Sequence, residues 1–174
     1  PEKSVRMYAA ANPKATKAQA EAAALNDSES SVRRAAVTHP EISPGVLKQV
    51  LKEDDAAHVR STAAGHPNCD EACLTIALKD SDTIVAQTAA EHKNLTPKNI
   101  NQVLKNKSTD SGASELKEIA IVSPNASSEN LMDAISDPDV RVGREALSNP
   151  NMTSEHIGKA QQDSPTGRDR EREL

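Results

Sequence analysis

The chain has 174 residues, a length that suits one domain or one array of smaller units. Hydrophobic residues make up 36% of it but aromatic residues only 1%, which excludes a thick aromatic core and leaves Ala, Val, Leu and Ile to fill many thin layers. A net charge of −5 is not the strongly basic balance of a dedicated nucleic-acid binder, and no apolar run approaches the ~18 residues of a membrane span.

The first predicted element is the phrase VRMYAAANP, Val5 to Pro13. It returns as VRRAAVTHP (Val32 to Pro40) and VRSTAAGHP (Val59 to Pro67), at an interval of 27 residues each time. Further copies end at Lys93, Pro124 and Pro150, with spacings of 26, 31 and 26, the first two of them weaker. A fixed period of this size signals a stacked repeat. Eight residues before each anchor stand Val5, Val32, Val59, Val85, Leu116 and Val142. Four before it stand Ala9, Ala36, Ala63, Ala89, Ala120 and Ala146, and three before it Ala10, Val37, Ala64, Ala90, Ile121 and Leu147. Apolar residues at i, i+4 and i+5 make one face of a short helix. The proline ends it, because the residue before a proline is pushed out of the α region.

A second helix follows each anchor. Its N-cap position holds Thr16, Ser43, Asp70, Thr96, Ser127 or Thr153, all residue types that accept a bond from a free N–H. Pro44 and Pro97 stand at the first helical position, where a missing N–H costs nothing. An apolar residue before each cap (Ala15, Ile42, Cys69, Leu95, Ala126, Met152) pairs with one four beyond it (Ala20, Leu47, Leu74, Ile100, Leu131, Ile157) as a hydrophobic staple. Acidic turns close the units. The insertion Asn106–Ser114 precedes the fifth phrase and predicts a surface loop, the place where repeat proteins often carry a binding feature. Residues 164–174 are charged and lack apolar period, which separates them as a tail.

Each unit therefore predicts helix, tight turn, helix, acidic turn. The expectation is an all-α chain, a right-handed α-solenoid of about six two-helix repeats over residues 1–163, with a charged C-terminal tail over 164–174. Each layer would bury its apolar face only on its neighbours. The recurring alanine would let the backbones approach closely. The acidic turn, the Val-Arg pair, the alanine, the His-Pro or Asn-Pro and the capped helix together resemble the variant leucine-rich repeats and the wider HEAT-like α-solenoids. The resemblance covers about residues 4–163. It implies alternating α and 3₁₀ helices and a role in binding rather than chemistry. The cysteine-rich iron–sulfur segment found beside some members of that family is absent from this sequence.

Two polar columns run through the repeats. Arg6, Arg33 and Arg60 share one position, Lys117 holds it in the fifth unit, and Ala86 and Gly143 interrupt it. Arg34 and Arg144 lie beside the column. As a basic stripe these six cations are the candidate partner-binding residues. The structural alternative pairs the column with the turn acids Asp27, Asp54, Asp80 and Asp137. His39, His66 and His92 precede three of the anchors, where Asn12, Ser123 and Asn149 stand elsewhere. Layers roughly 8–10 Å apart cannot bring such imidazoles to the ~2.0–2.1 Å that zinc requires, so they predict hydrogen bonds to backbone at a helix end. Cys69 and Cys73 predict small apolar filler. The triplets beginning at Asn94, Asn125 and Asn151 match glycosylation acceptors, but their Ser and Thr are the caps that the repeat demands.

No nucleophile elbow, phosphate loop or metalloprotease motif is present, and neither catalytic residue, cofactor nor metal is expected. The sequence points to a non-catalytic protein-binding scaffold with an extended curved polar surface. The alternatives are duplex nucleic-acid binding along the Arg/Lys ladder, or a structural subunit that assembles with itself or a larger complex. Two lone cysteines and no signal-peptide pattern point to a reducing, cytoplasmic setting.

Overall fold

The computed structural model describes residues 2–108 and 110–163. The charged tail expected over 164–174 lies outside the described residues. Among those residues the chain is all α, with twelve helices and no strand. In chain order they are α1 (Lys3–Ala11), α2 (Lys17–Asn26), α3 (Ser30–Val37), α4 (Pro44–Glu53), α5 (Ala57–Ala64), α6 (Glu71–Ala77), α7 (Thr83–Ala90), α8 (Pro97–Leu104), α9 (Ser111–Ile121), α10 (Ser128–Ile135), α11 (Val140–Ser148) and α12 (Ser154–Asp163).

The helix starts follow the cap residues. Thr16, Thr96 and Ser127 close reciprocal capping boxes with Gln19, Asn99 and Asn130. Asp70 accepts from the Cys73 N–H at 2.8 Å. Ser43 makes no side-chain cap; Pro44 follows it, and the Ser43 N–H donates instead to Glu21 at 3.0 Å. Helices of seven to eleven residues are marginal alone in water, so packing must hold them. The core is aliphatic throughout, and Ile42, Leu47, Leu74, Leu95, Ile100, Ile121 and Leu131 are its largest fully buried side chains. Each such burial stabilises by about 1.5–3 kcal/mol.

The described helices divide between two compact units, Pro1–Leu95 and Thr96–Leu174. Within the first, α1 packs on α3, α3 on α5 and α5 on α7, while α2 packs on α4 and α4 on α6. Within the second, α8 packs on α10 and α10 on α12, with α9 on α11. The division falls between Leu95 and Thr96, just after the fourth phrase, the one that has Lys93 in place of proline.

Two expectations are corrected. All twelve helices are α-helices, and no 3₁₀ helix occurs among the described residues. The tightening is confined to i→i+3 bonds at helix ends, such as His39 N–H to Ala36 O at 3.0 Å. Nor is the whole insertion a loop. Asp110 caps a helix that starts at Ser111, accepting from the Ala113 N–H at 2.8 Å. Ser111–Ser114 therefore add a turn to α9, and Ser114 is buried.

Candidate functional site

The cation column lies on the acidic turns. Arg6 donates to both carboxylate oxygens of Asp27 at 2.8 and 3.2 Å. Arg33 does the same to Asp54 at 2.7 and 2.9 Å, and Arg60 to Asp80 at 2.7 and 2.9 Å. In the second compact unit Lys117, itself buried, reaches Asp137 at 2.8 Å. The third nitrogen of the fork is also used. Arg33 Nη1 donates to the Asp27 carbonyl at 3.0 Å and Arg60 Nη1 to the Asp54 carbonyl at 2.9 Å. Each of these guanidiniums therefore joins the turn before it to the turn after it.

The acid is the hub of the joint. Asp27, Asp54, Asp80 and Asp137 each accept, through Oδ1, the backbone N–H two residues on, at 2.9 Å. That bond shapes the turn and leads the chain into the next helix. The Arg6 hydrogen bond holds the Asp27 carboxyl below the usual range. At Asp54 and Asp80 burial pushes upward, and the arginine and the turn N–H together outweigh it, leaving both below the usual range.

The histidines form a second ladder. His39 Nε2 meets the Ala15 carbonyl at 3.0 Å, His66 Nε2 the His39 carbonyl at 3.2 Å, and His92 Nε2 the His66 carbonyl at 3.1 Å. On the other side of each ring, Nδ1 accepts the N–H two residues on, from Glu41, Asn68 or Asn94, at 3.0 to 3.3 Å. A ring that accepts at Nδ1 carries its proton on Nε2. Asn149 reproduces this in the second unit: its Oδ1 accepts from Asn151 N–H at 2.8 Å and its Nδ2 donates to Ile121 O at 2.7 Å and Ser123 O at 3.0 Å. The expected bonds to local backbone are only half of the arrangement, since the other half crosses to the preceding layer.

A third column escaped the sequence reading. One residue after the anchor, Asn68 Nδ2 donates to Pro40 O and Ile42 O, both at 2.9 Å. Asn94 donates to Pro67 O and Cys69 O at 3.1 and 3.2 Å, and Asn151 to Pro124 O and Ala126 O at 2.8 and 3.0 Å. The recurrence of Asn at one repeat position was the available signal, masked by the glycosylation triplets to which Asn94 and Asn151 belong.

Of the six candidate partner-binding cations, Arg6, Arg33, Arg60 and Lys117 are thus engaged by carboxylates. Arg34 and Arg144 are exposed and form no ion pair among the described residues. No group of His, Cys, Asp and Glu among those residues is placed to hold a metal ion. Cys69 and Cys73 are free and buried. Hydrogen bonding with Cys73 and burial both push the Cys69 thiol up.

The surface clear of these ladders has a different character. A groove of about 350 Å³ on the first compact unit is lined by Thr38, Pro40, Thr62, Gly65, His66 and Pro67. No charged carboxylate, Lys or Arg lines it. Tyr8 on α1 and Ile84 on α7, the helices packed outside the α3–α5 pair, are exposed large hydrophobics. Comparison with protein-family profiles, with characterised proteins and with solved structures finds no match to the chain.

Proposed function

We propose that the chain is a non-catalytic, protein-binding α-solenoid of six two-helix repeats, similar to the variant leucine-rich and HEAT-like repeats, working in a reducing intracellular setting. The observation that carries this reading is the separation of roles on the first compact unit. Its recurrent Arg, His and Asn side chains are engaged between layers, while the groove beside Thr62 and Gly65 is uncharged and open. A groove of that volume and lining accepts one or two aliphatic side chains of a partner protein. The scarcity of aromatics on this chain then places the aromatic or aliphatic anchor on the partner.

Duplex nucleic-acid binding is the weaker reading, because four of its six cations already hold carboxylates. The chain is tested by retention on heparin and duplex DNA at about 50 mM salt, where a phosphate-binding protein is held. We expect no retention. In parallel, proteins captured from the source extract by the wild-type chain should be lost with Thr38→Arg or Thr62→Arg and kept with Lys52→Ala. Retention on DNA, or capture indifferent to both groove variants, would overturn the proposal. No helix among the described residues is long and apolar enough to cross a membrane.

A further inference from the structure

The helices around the groove near Thr62 differ in charge from the rest of the chain. In the first compact unit α1, α3, α5 and α7 pack in a row. None of the four contains Asp or Glu, although the chain as a whole carries a net charge of −5. Their Lys and Arg side chains are Lys3, Arg6, Arg33, Arg34 and Arg60. Lys3 meets Glu29 at 3.0 Å, and Arg6, Arg33 and Arg60 are forked onto Asp27, Asp54 and Asp80. That leaves Arg34, which is exposed and forms no ion pair among the described residues. Arg34 stands four residues before Thr38, which lines the groove. This i,i+4 spacing puts two side chains on one helix face, about 5–6 Å apart.

The side-chain donors of the groove are spent inside the molecule. Thr38 Oγ1 donates to Ala35 O at 2.7 Å and Thr62 Oγ1 to His58 O at 2.8 Å. Both ring nitrogens of His66 are engaged. Pro40 and Pro67 have no N–H, and their carbonyls already accept from Asn68 and Asn94. What remains for a visitor is threonine methyl groups and proline rings, with one free guanidinium beside them. We propose that the groove takes a segment of a partner protein in which an aliphatic side chain is accompanied by an Asp or Glu close by in sequence, and that Arg34 receives that carboxylate. This rests on the protein-binding reading above and names what the partner must carry. The charges also set a direction. Glu41 is exposed beyond Pro40, on the other side of Thr38 along the chain from Arg34. A segment seated in reverse would bring its carboxylate toward an acid.

A displayed library of short random peptides, selected on the immobilised full chain, tests both parts. Circular dichroism verifies that each variant folds. Peptides retained by the wild-type chain should combine Leu, Ile, Val or Met with a nearby Asp or Glu. Arg34→Glu should keep the aliphatic residue and exchange the acid for Lys or Arg. Thr62→Arg, which fills the groove, should abolish the aliphatic enrichment. An enriched peptide is then labelled and titrated by fluorescence anisotropy. Arg34→Ala should weaken it about two- to fivefold, as expected of one exposed ion pair, and the loss should shrink at high salt. Lys52→Ala should leave the affinity unchanged. No enrichment on the wild-type chain beyond that on Thr62→Arg would overturn the groove reading and this inference with it. Aliphatic enrichment without an acid, or an acid still selected by Arg34→Glu, would overturn this inference alone and leave the groove reading standing.

Discussion

His66 donates from Nε2 to the backbone carbonyl of His39 at 3.2 Å, and His92 repeats the bond onto the carbonyl of His66 at 3.1 Å. Each ring also accepts at Nδ1 from the N–H two residues on. A second proton on either ring would put a hydrogen on Nδ1 against that N–H and remove the acceptor. Burial pushes both imidazoles below their usual value, more than the backbone bond raises them, and the electrostatic influence of neighbouring groups (His92 and His39 on His66, Lys93 on His92) acts in the same downward sense. In the unfolded chain these histidines take up a proton near pH 6.5, while the folded chain resists it. The unfolded state therefore binds more protons, and stability falls as the pH drops below about 6.5 until the folded rings titrate too. Urea midpoints at pH 7.5 and 5.5 will show the loss. The double variant His66→Asn and His92→Asn should flatten it, because Asn149 already makes the same bonds without a titrating group.

The aspartate hubs give a second window at lower pH. Asp27, Asp54 and Asp80 have folded values below their unfolded ones, so their contribution is complete above about pH 4 and is lost as the pH falls through the folded values. Arg33→Ala leaves the half-buried Asp54 carboxylate without its fork and should cost about 3–5 kcal/mol. Arg33→Lys should cost less, since Lys117 serves Asp137 through a single Nζ contact at 2.8 Å. A double-mutant cycle with Asp54→Asn measures the coupling. Additive single-variant effects would show that the pair contributes nothing beyond its separate members.

The helices were legible in the sequence because each is announced locally. Thr16, Asp70 and Thr96 cap where caps stand, and the alanine column is buried from Ala36 onward. The pairing of Arg6, Arg33, Arg60 and Lys117 with the turn acids was also legible, since charge of both signs recurs at the same period. What lies across layers was harder. Nothing in one repeat's sequence states that His66 reaches the carbonyl of His39, or that Asn68 reaches Pro40 and Ile42, because a backbone acceptor has no signature of its own. The extra turn of α9 was hidden for a related reason. Ser111, Gly112 and Ser114 have turn-like composition, and only the Asp110 cap makes them helical.

Asn68 places its single amide between two carbonyls of the preceding layer, at 2.9 Å each. Asn68→Ala removes both bonds and leaves two acceptors short of a donor, at a cost of about 1–3 kcal/mol. Asn68→Asp should cost more, because a carboxylate facing two carbonyl oxygens is repelled by both. Chemical denaturation of the two variants tests the order. Equal stability of Asn68→Asp and wild type would show that the column contributes nothing to the stack.

The two thiols report on the same stack from inside. Cys69 and Cys73 are 0% exposed, and Cys73 Sγ donates to the Pro44 carbonyl at 3.5 Å. A bulky thiol reagent therefore cannot reach either in the folded chain, and labelling must wait for α6 to part from α4, α5 and α7. When reclosing is fast, the labelling rate follows the free energy of that opening. Leu74 is fully buried on α6, so Leu74→Ala should lower the opening free energy by about 2–5 kcal/mol and speed labelling by at least tenfold. Leu147→Ala removes the same atoms from an exposed position on α11 and should leave the rate unchanged. Rapid labelling of the native wild-type chain, or equal acceleration by the two leucine variants, would contradict the burial of both cysteines in the first compact unit.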